Sequence, residues 1–92
     1  MSNKITTIHV FEDGELIYFK FPYNELAIQS FKQLPYSARD PAFGRGWNKG
    51  GKLWIFPVEM GYQVESLIEQ SYDGNTQWVW CDTMQQILEA NY

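Results

Sequence analysis

The residues best suited to chemistry lie in one glycine-rich stretch, "RGWNKGGKLWIFP", at positions 45–57. Three cations, Arg45, Lys49 and Lys52, are interleaved there with Trp47. Outward-reaching cations can contact phosphate oxygens, and an aromatic face can stack on a nucleobase. Glycines allow the backbone to come close to a ligand. The stretch therefore has the components of a surface for a flat, anionic ligand. The alternative is a solvated hairpin tip with Trp47 folded back onto the core.

The charges of the chain are segregated along its length. The net charge of −4 over 92 residues by itself disfavours a polyanionic partner. Residues 20–52, however, carry six cations against two carboxylates, which gives +4, whereas residues 53–92 carry six carboxylates and no Lys or Arg. Residues 1–19 carry −2. The basic middle predicts an anionic ligand and the acidic end predicts a basic partner.

Cations and aromatics near the glycine-rich stretch extend the predicted site. Lys32 lies in the last turn of a predicted helix, where its charge would also offset the helix dipole. Lys20, on the presumed solvent side of a strand, is a further phosphate candidate. The predicted nucleic-acid-binding residues are Lys32, Arg39, Arg45, Trp47, Lys49 and Lys52.

Two aromatic pairs, one in each of two later strands, have two interpretations. Trp54 alternates with Phe56 in one strand, and Trp78 with Trp80 in another. This spacing places each pair on one strand face and favours core packing. If no helix covers that face, the same residues form an exposed aromatic surface.

Catalytic and metal-binding signals are weak. His9 is the single histidine and Cys81 the single cysteine, and neither has a partner at catalytic or metal-ligand spacing. Glu12, Asp13 and Glu15 lack the ligand spacing of a calcium loop and are interpreted as a solvated turn. We therefore expect a non-enzymatic protein without a cofactor or metal.

The location of the protein is predicted from its apolar segments and its cysteine. The first 15 residues have no apolar core of the kind found in signal peptides, and no apolar run approaches the 18 residues of a membrane span. A single cysteine fits a reducing compartment. The sequence predicts a cytoplasmic protein without a membrane partner.

One α+β domain over residues 1–92 is predicted to position these side chains. Asp13-Gly14 between two β-rich runs indicates a hairpin, with Ile17, Phe19 and Phe21 toward the core. A helix follows between Asn24 as its N-cap and Pro35 as its stop. The turn-rich residues 36–51 lead to the strand "KLWIFP".

The remaining residues complete the predicted order ββαβαβα. A second helix is "EMGYQVESLIEQSY", the next strand is "TQWVWC", and Thr83 with Gln86 has the pattern of a capping box for a last helix. We expect a mainly antiparallel sheet with the helices packed on one face.

Residues 17–70 combine the segment "FKFPYNELAIQSFKQLP" with the later strand "KLWIFPVE", and this pattern resembles the HARP domain that accompanies annealing helicases. The resemblance implies a stand-alone, HARP-like domain that binds DNA of a particular structure, with a helicase as partner. Two features differ: the turn between Asp40 and Trp54 is longer than usual, and the chain lacks the phosphate-binding loop of a helicase motor. The matching positions are Phe21, Tyr23, Asn24, Leu26, Phe31, Lys32, Pro35, Arg39, Asp40, Lys52, Trp54, Phe56, Pro57 and Glu59.

Two functions from different classes follow from the sequence. The first is a small DNA-binding module, for single-stranded or structured DNA, accessory to a helicase. The second is a protein-interaction or regulatory module that uses the acidic C-terminal half and its aromatic residues.

Overall fold

The computed structural model describes residues 4–91 and contains a five-stranded sheet and three α-helices. Three short 3₁₀ turns complete it, at Tyr36–Arg39, Pro41–Phe43 and Val58–Met60. The strands are β1 (Thr6–Glu12), β2 (Leu16–Lys20), β3 (Gly46–Asn48), β4 (Leu53–Pro57) and β5 (Thr76–Trp80). The helices are α1 (Glu25–Phe31), α2 (Gly61–Ser71) and α3 (Met84–Glu89).

The β1–β2 hairpin forms where the sequence predicts it, and Asp13 holds its turn. One oxygen of Asp13 accepts the backbone N–H groups of Glu15 and Leu16, and the other accepts the hydroxyl of Tyr18 at 2.9 Å. Gly14 adopts a φ of 95°, which a residue with a side chain rarely adopts. The turn chemistry therefore fixes the register of both strands.

The strand order is β3-β4-β2-β1-β5, so β3 and β5 form the two edges. Three of the pairings are antiparallel, and β5 pairs with β1 in parallel. The predicted α+β class and mainly antiparallel sheet are confirmed, with the difference that the sheet is mixed. The parallel pair arises because α2 carries the chain across the sheet before β5 begins.

The main core lies between one face of the sheet and the helices α1 and α2. Alternate residues of the strands point to this face, as the sequence predicts for Ile17, Phe19 and Phe21. Phe31 from α1 packs edge-on against Phe56, with ring centroids 5.0 Å apart. The buried helix residues that complete this core are Ala27, Phe31, Val64 and Ile68.

The opposite face is covered by α3, which differs from the expectation of helices on one face only. Ile87 of α3 is fully buried and packs with Tyr18, Leu53 and Ile55. The short amphipathic pattern of α3 shows which side of the helix is buried, but it does not show which face of the sheet the helix covers. A second, smaller core results.

The expectation that Lys20 faces solvent is wrong. Its side chain is 6% exposed, and its Nζ donates a 2.7 Å hydrogen bond to the carbonyl of Leu88 at the end of α3. A cation at the C-terminal end of a helix is favourable there. Lys20 therefore anchors α3 to the sheet, and it has no surface from which to contact a phosphate.

The burial of Tyr18, together with its hydrogen bond to Asp13, makes the free energy of unfolding sensitive to alkaline pH. Burial raises the pKa of Tyr18 to about 12, and Asp13 adds to the shift. The folded protein thus retains the phenolic proton more tightly than the unfolded chain, whose tyrosine titrates near pH 10. The stability due to Tyr18 is complete below pH 10 and is lost as the pH rises toward 12.

We expect the stability advantage of the wild-type protein over Tyr18→Phe to shrink between pH 8 and pH 11. The reduction should be about 1 kcal/mol, because the unfolded chain is then largely ionised at position 18. Urea denaturation of both proteins at the two pH values measures it. If the two proteins differ in free energy of unfolding by the same amount at pH 8 and pH 11, the pKa of Tyr18 is not raised by folding.

Candidate nucleic-acid interface

A groove of about 590 Å³ lies between the start of α1 and the β3–β4 hairpin. Its volume falls within the range of about 300–1,000 Å³ that is usual for ligand sites. Four aromatic residues and two lysines dominate its lining: Phe21, Tyr23, Trp47, Trp54, Lys49 and Lys52. The groove thus combines flat apolar surfaces with positive charge.

The aromatic wall of the groove is built on paired strands. Trp47 of β3 lies directly opposite Trp54 of β4, and their ring centroids are 5.4 Å apart. Trp54 in turn packs against Phe31 of the core, with ring centroids 5.0 Å apart. Trp54 is therefore half-buried, whereas Trp47 keeps 52% of its surface exposed. Trp47 rests on the core edge and still presents a ring to solvent.

The tip of the β3–β4 hairpin holds the two lysines of the groove. The side chain of Asn48 accepts the backbone N–H of Gly51 at 2.7 Å, which closes the turn. Lys52 has a φ of 55°, a left-handed conformation that reverses the chain into β4. Lys49 and Lys52 are both exposed and both border the groove. A local turn therefore brings two cations to the same opening.

Arg39 and Arg45 lie in the loop behind the hairpin and bind the backbone. Arg45 donates to the carbonyl of Ser37 at 2.6 Å, and Arg39 donates to the carbonyls of Lys32 and Leu34 at 3.4 and 3.5 Å. Both side chains are half-buried. Their guanidinium groups shape the loop, and neither residue lines the groove.

Two cation–π contacts reinforce this loop. The guanidinium of Arg39 lies 5.7 Å from the centre of the Tyr36 ring, and that of Arg45 lies 5.5 Å from the centre of the Phe43 ring. The Nε atoms of both arginines are buried, and neither has a hydrogen-bond partner within residues 4–91. The two arginines are thus positioning residues that contribute positive charge beside the groove.

Gly46 joins this loop to β3 and allows close packing at the joint. It has a φ of 92°, and a Cβ atom at this position would lie 2.7 Å from the carbonyl oxygen of Arg39. Real Cβ atoms do not approach a backbone oxygen so closely. Glycine is therefore required for β3 to lie against the turn Tyr36–Arg39.

Of the six predicted site residues, three come together at the groove: Trp47, Lys49 and Lys52. Lys32 is exposed just beyond the end of α1 and is not a lining residue. The sequence pattern does not indicate Tyr23 as a site residue, and it favours the core for Trp54. Tyr23 directly precedes the N-cap Asn24, and its side chain is strongly exposed. A large aromatic side chain before a cap, outside any amphipathic pattern, is the signal that could have revealed it.

Two acidic residues of the C-terminal segment, Glu65 and Glu69, lie at the other edge of the sheet. Glu69 of α2 accepts hydrogen bonds from Thr76 and Trp78 of β5, and Glu65 lines the same surface. Four strand spacings of about 4.8 Å separate β3 from β5, a distance of about 19 Å. The charge segregation of the sequence thus becomes a spatial segregation.

No protein-family model, curated protein or solved structure matches the chain. Within residues 4–91, no cluster of three His, Cys, Asp or Glu side chains could hold a metal ion. No helix in the same residues is long and apolar enough to cross a membrane.

Proposed function

We propose that this protein is a non-enzymatic module that binds single-stranded or structured DNA in the groove beside the β3–β4 hairpin. The observation that carries the proposal is the presence of two exposed aromatic rings, Trp47 and Tyr23, beside two exposed lysines in one groove. A base would stack on Trp47, and Lys49 and Lys52 would contact phosphates.

Single-stranded DNA, or the unpaired part of a DNA structure, suits this groove better than an intact duplex. Stacking on an aromatic side chain requires a base whose face is accessible, and the faces of bases in a duplex are covered by their neighbours. Because stacking is tolerant of base identity and phosphate contacts carry no sequence information, binding is expected to be largely independent of sequence.

Lys32, Arg39 and Arg45 would have supporting roles. Lys32 is exposed, and its carbonyl accepts a hydrogen bond from Arg39, so it would contact a phosphate outside the groove. Arg39 and Arg45 hold the loop and add to the positive potential. The resemblance to the HARP domain supports an accessory role beside a helicase, and the single cysteine supports a reducing compartment such as the cytoplasm.

The proposal is tested by measuring the affinity for a labelled oligothymidylate at several salt concentrations. With three phosphate contacts, from Lys32, Lys49 and Lys52, log affinity should fall against log salt with a slope of about −2. The affinity should then decrease about 20-fold between 50 and 200 mM salt.

A duplex of the same length is the matched control and should bind more weakly than the single strand. Equal affinity for both forms would show that Trp47 does not stack on bases. The absence of binding at 50 mM salt, or a slope near zero, would overturn the proposal.

A further inference from the structure

A second groove, of about 520 Å³, lies on the same sheet face at the opposite edge, between α2 and β5. The first groove carries lysines beside its aromatic residues, whereas this one carries carboxylates. Three aromatic residues and two carboxylates dominate its lining: Tyr62, Trp78, Trp80, Glu65 and Glu69. All of them come from the segment that carries no Lys or Arg.

The floor of this second groove is rigid. The indole N–H of Trp78 donates to one oxygen of Glu69 at 2.7 Å, and the hydroxyl of Thr76 donates to the other oxygen at 2.6 Å. The ring of Trp78 also packs edge-on against Phe19 of the core, with ring centroids 6.3 Å apart. These contacts fix the ring of Trp78 and the carboxylate of Glu69 in place.

The rim of the groove is aromatic and accessible. Trp80 follows two residues after Trp78 in β5, so its side chain lies on the same face, and it is 54% exposed. Tyr62, in the first turn of α2, is still more exposed. Large exposed aromatic residues in a groove are typical of recognition surfaces rather than of a solvated helix face.

The electrostatics of the groove favour a cation. Burial raises the pKa of Glu65, and the negative charge of Glu12 at the end of β1 raises it further. Like charges and partial desolvation thus disfavour the ionised form of Glu65 when the groove is empty. A bound cation would counter both effects, and the faces of Trp80 and Tyr62 would attract the same cation.

We infer that this second groove binds a basic segment of a partner protein, with an Arg or Lys side chain seated against Trp80 and Tyr62 and paired with Glu65. Charge complementarity selects the occupant, because the lining formed by the described residues has aromatic faces and carboxylates and contains neither Lys nor Arg. The inference is independent of DNA binding, since the two grooves share no lining residue.

The experiment titrates the full chain into a labelled nine-residue peptide that alternates arginine and glycine. The matched probe is the same peptide with citrulline, a neutral isostere, in place of arginine. We expect saturable binding of the arginine peptide but not of the citrulline peptide, and a reduction of about fivefold or more in the affinity of both Trp80→Ala and Glu65→Gln. A lysine–glycine peptide should also bind, though less tightly, because arginine stacks better on aromatic faces.

Glu89→Gln is the control variant, because it removes the same charge from α3 on the other sheet face. It should bind the peptide as the wild type does. Equal weakening by Glu65→Gln and Glu89→Gln would overturn the inference, since net charge alone would then account for binding. Equal affinity for the citrulline peptide would also overturn it. So would self-association in sedimentation that Trp80→Ala abolishes, because a second copy would then occupy the groove.

Discussion

Replacement of Phe31 by alanine is expected to lower the free energy of unfolding by about 3–5 kcal/mol. Phe31 is fully buried at the point where α1 meets the sheet. Its ring contacts three other aromatic residues, with centroids 5.0 Å from Trp54, 5.0 Å from Phe56 and 6.2 Å from Phe21. The cavity left by truncation would be bordered by rigid rings that cannot collapse into it.

Urea denaturation monitored by circular dichroism measures this loss. Phe43→Ala is the matched control, because Phe43 is 67% exposed and its ring lies against Arg45 of the same surface loop. Its expected loss is below about 1 kcal/mol. If Phe31→Ala does not fold, Phe31→Leu provides a milder measurement. If both variants lost the same small amount of unfolding free energy, Phe31 would not be part of the core.

Replacement of Trp47 by alanine is expected to weaken the binding of single-stranded DNA by about 5- to 150-fold. This range corresponds to the loss of about 1–3 kcal/mol of base stacking. The salt dependence of binding should not change, because the lysines that contact phosphates remain. Fluorescence anisotropy of a labelled oligothymidylate, at two salt concentrations, measures both quantities.

Trp80→Ala is a closely matched control for Trp47→Ala. The two tryptophans have nearly equal exposure and lie on the same face of the sheet, at opposite edges. Trp80→Ala should leave DNA binding unchanged. Equal effects of the two substitutions would show that exposed tryptophans bind DNA regardless of position, and the first groove would then have no special role.

The local elements of the fold could be predicted from the sequence because their signals are local. Asp13 and Gly14 specify the hairpin turn, and Asn24 caps α1 as expected by accepting the N–H of Ala27. β3 was not predicted, because three residues within a glycine-rich loop have no alternation to detect. The parallel pairing of β5 with β1 was not predicted either, since it depends on contacts between distant parts of the chain.

The candidate site was predictable to the extent that it lies in one hairpin. Trp47, Lys49 and Lys52 are neighbours in sequence, so a single turn brings them together. Arg39 and Arg45 have the same charge, but their hydrogen bonds to backbone carbonyls could not be predicted from residue type. Tyr23 joins the groove only because α1 folds toward the hairpin.

The parallel pairing of β1 with β5 also determines when the sheet can be completed during synthesis. Thr6 lies opposite Thr76, so the second partner of β1, after β2, is about 70 residues away along the chain. At a synthesis rate of about 5–20 residues per second, the ribosome makes β5 roughly 4–14 s after it makes β1. During that interval the outer edge of β1 is open to other strands. A nascent chain arrested before residue 76 therefore presents an unpaired strand edge to other chains and to chaperones.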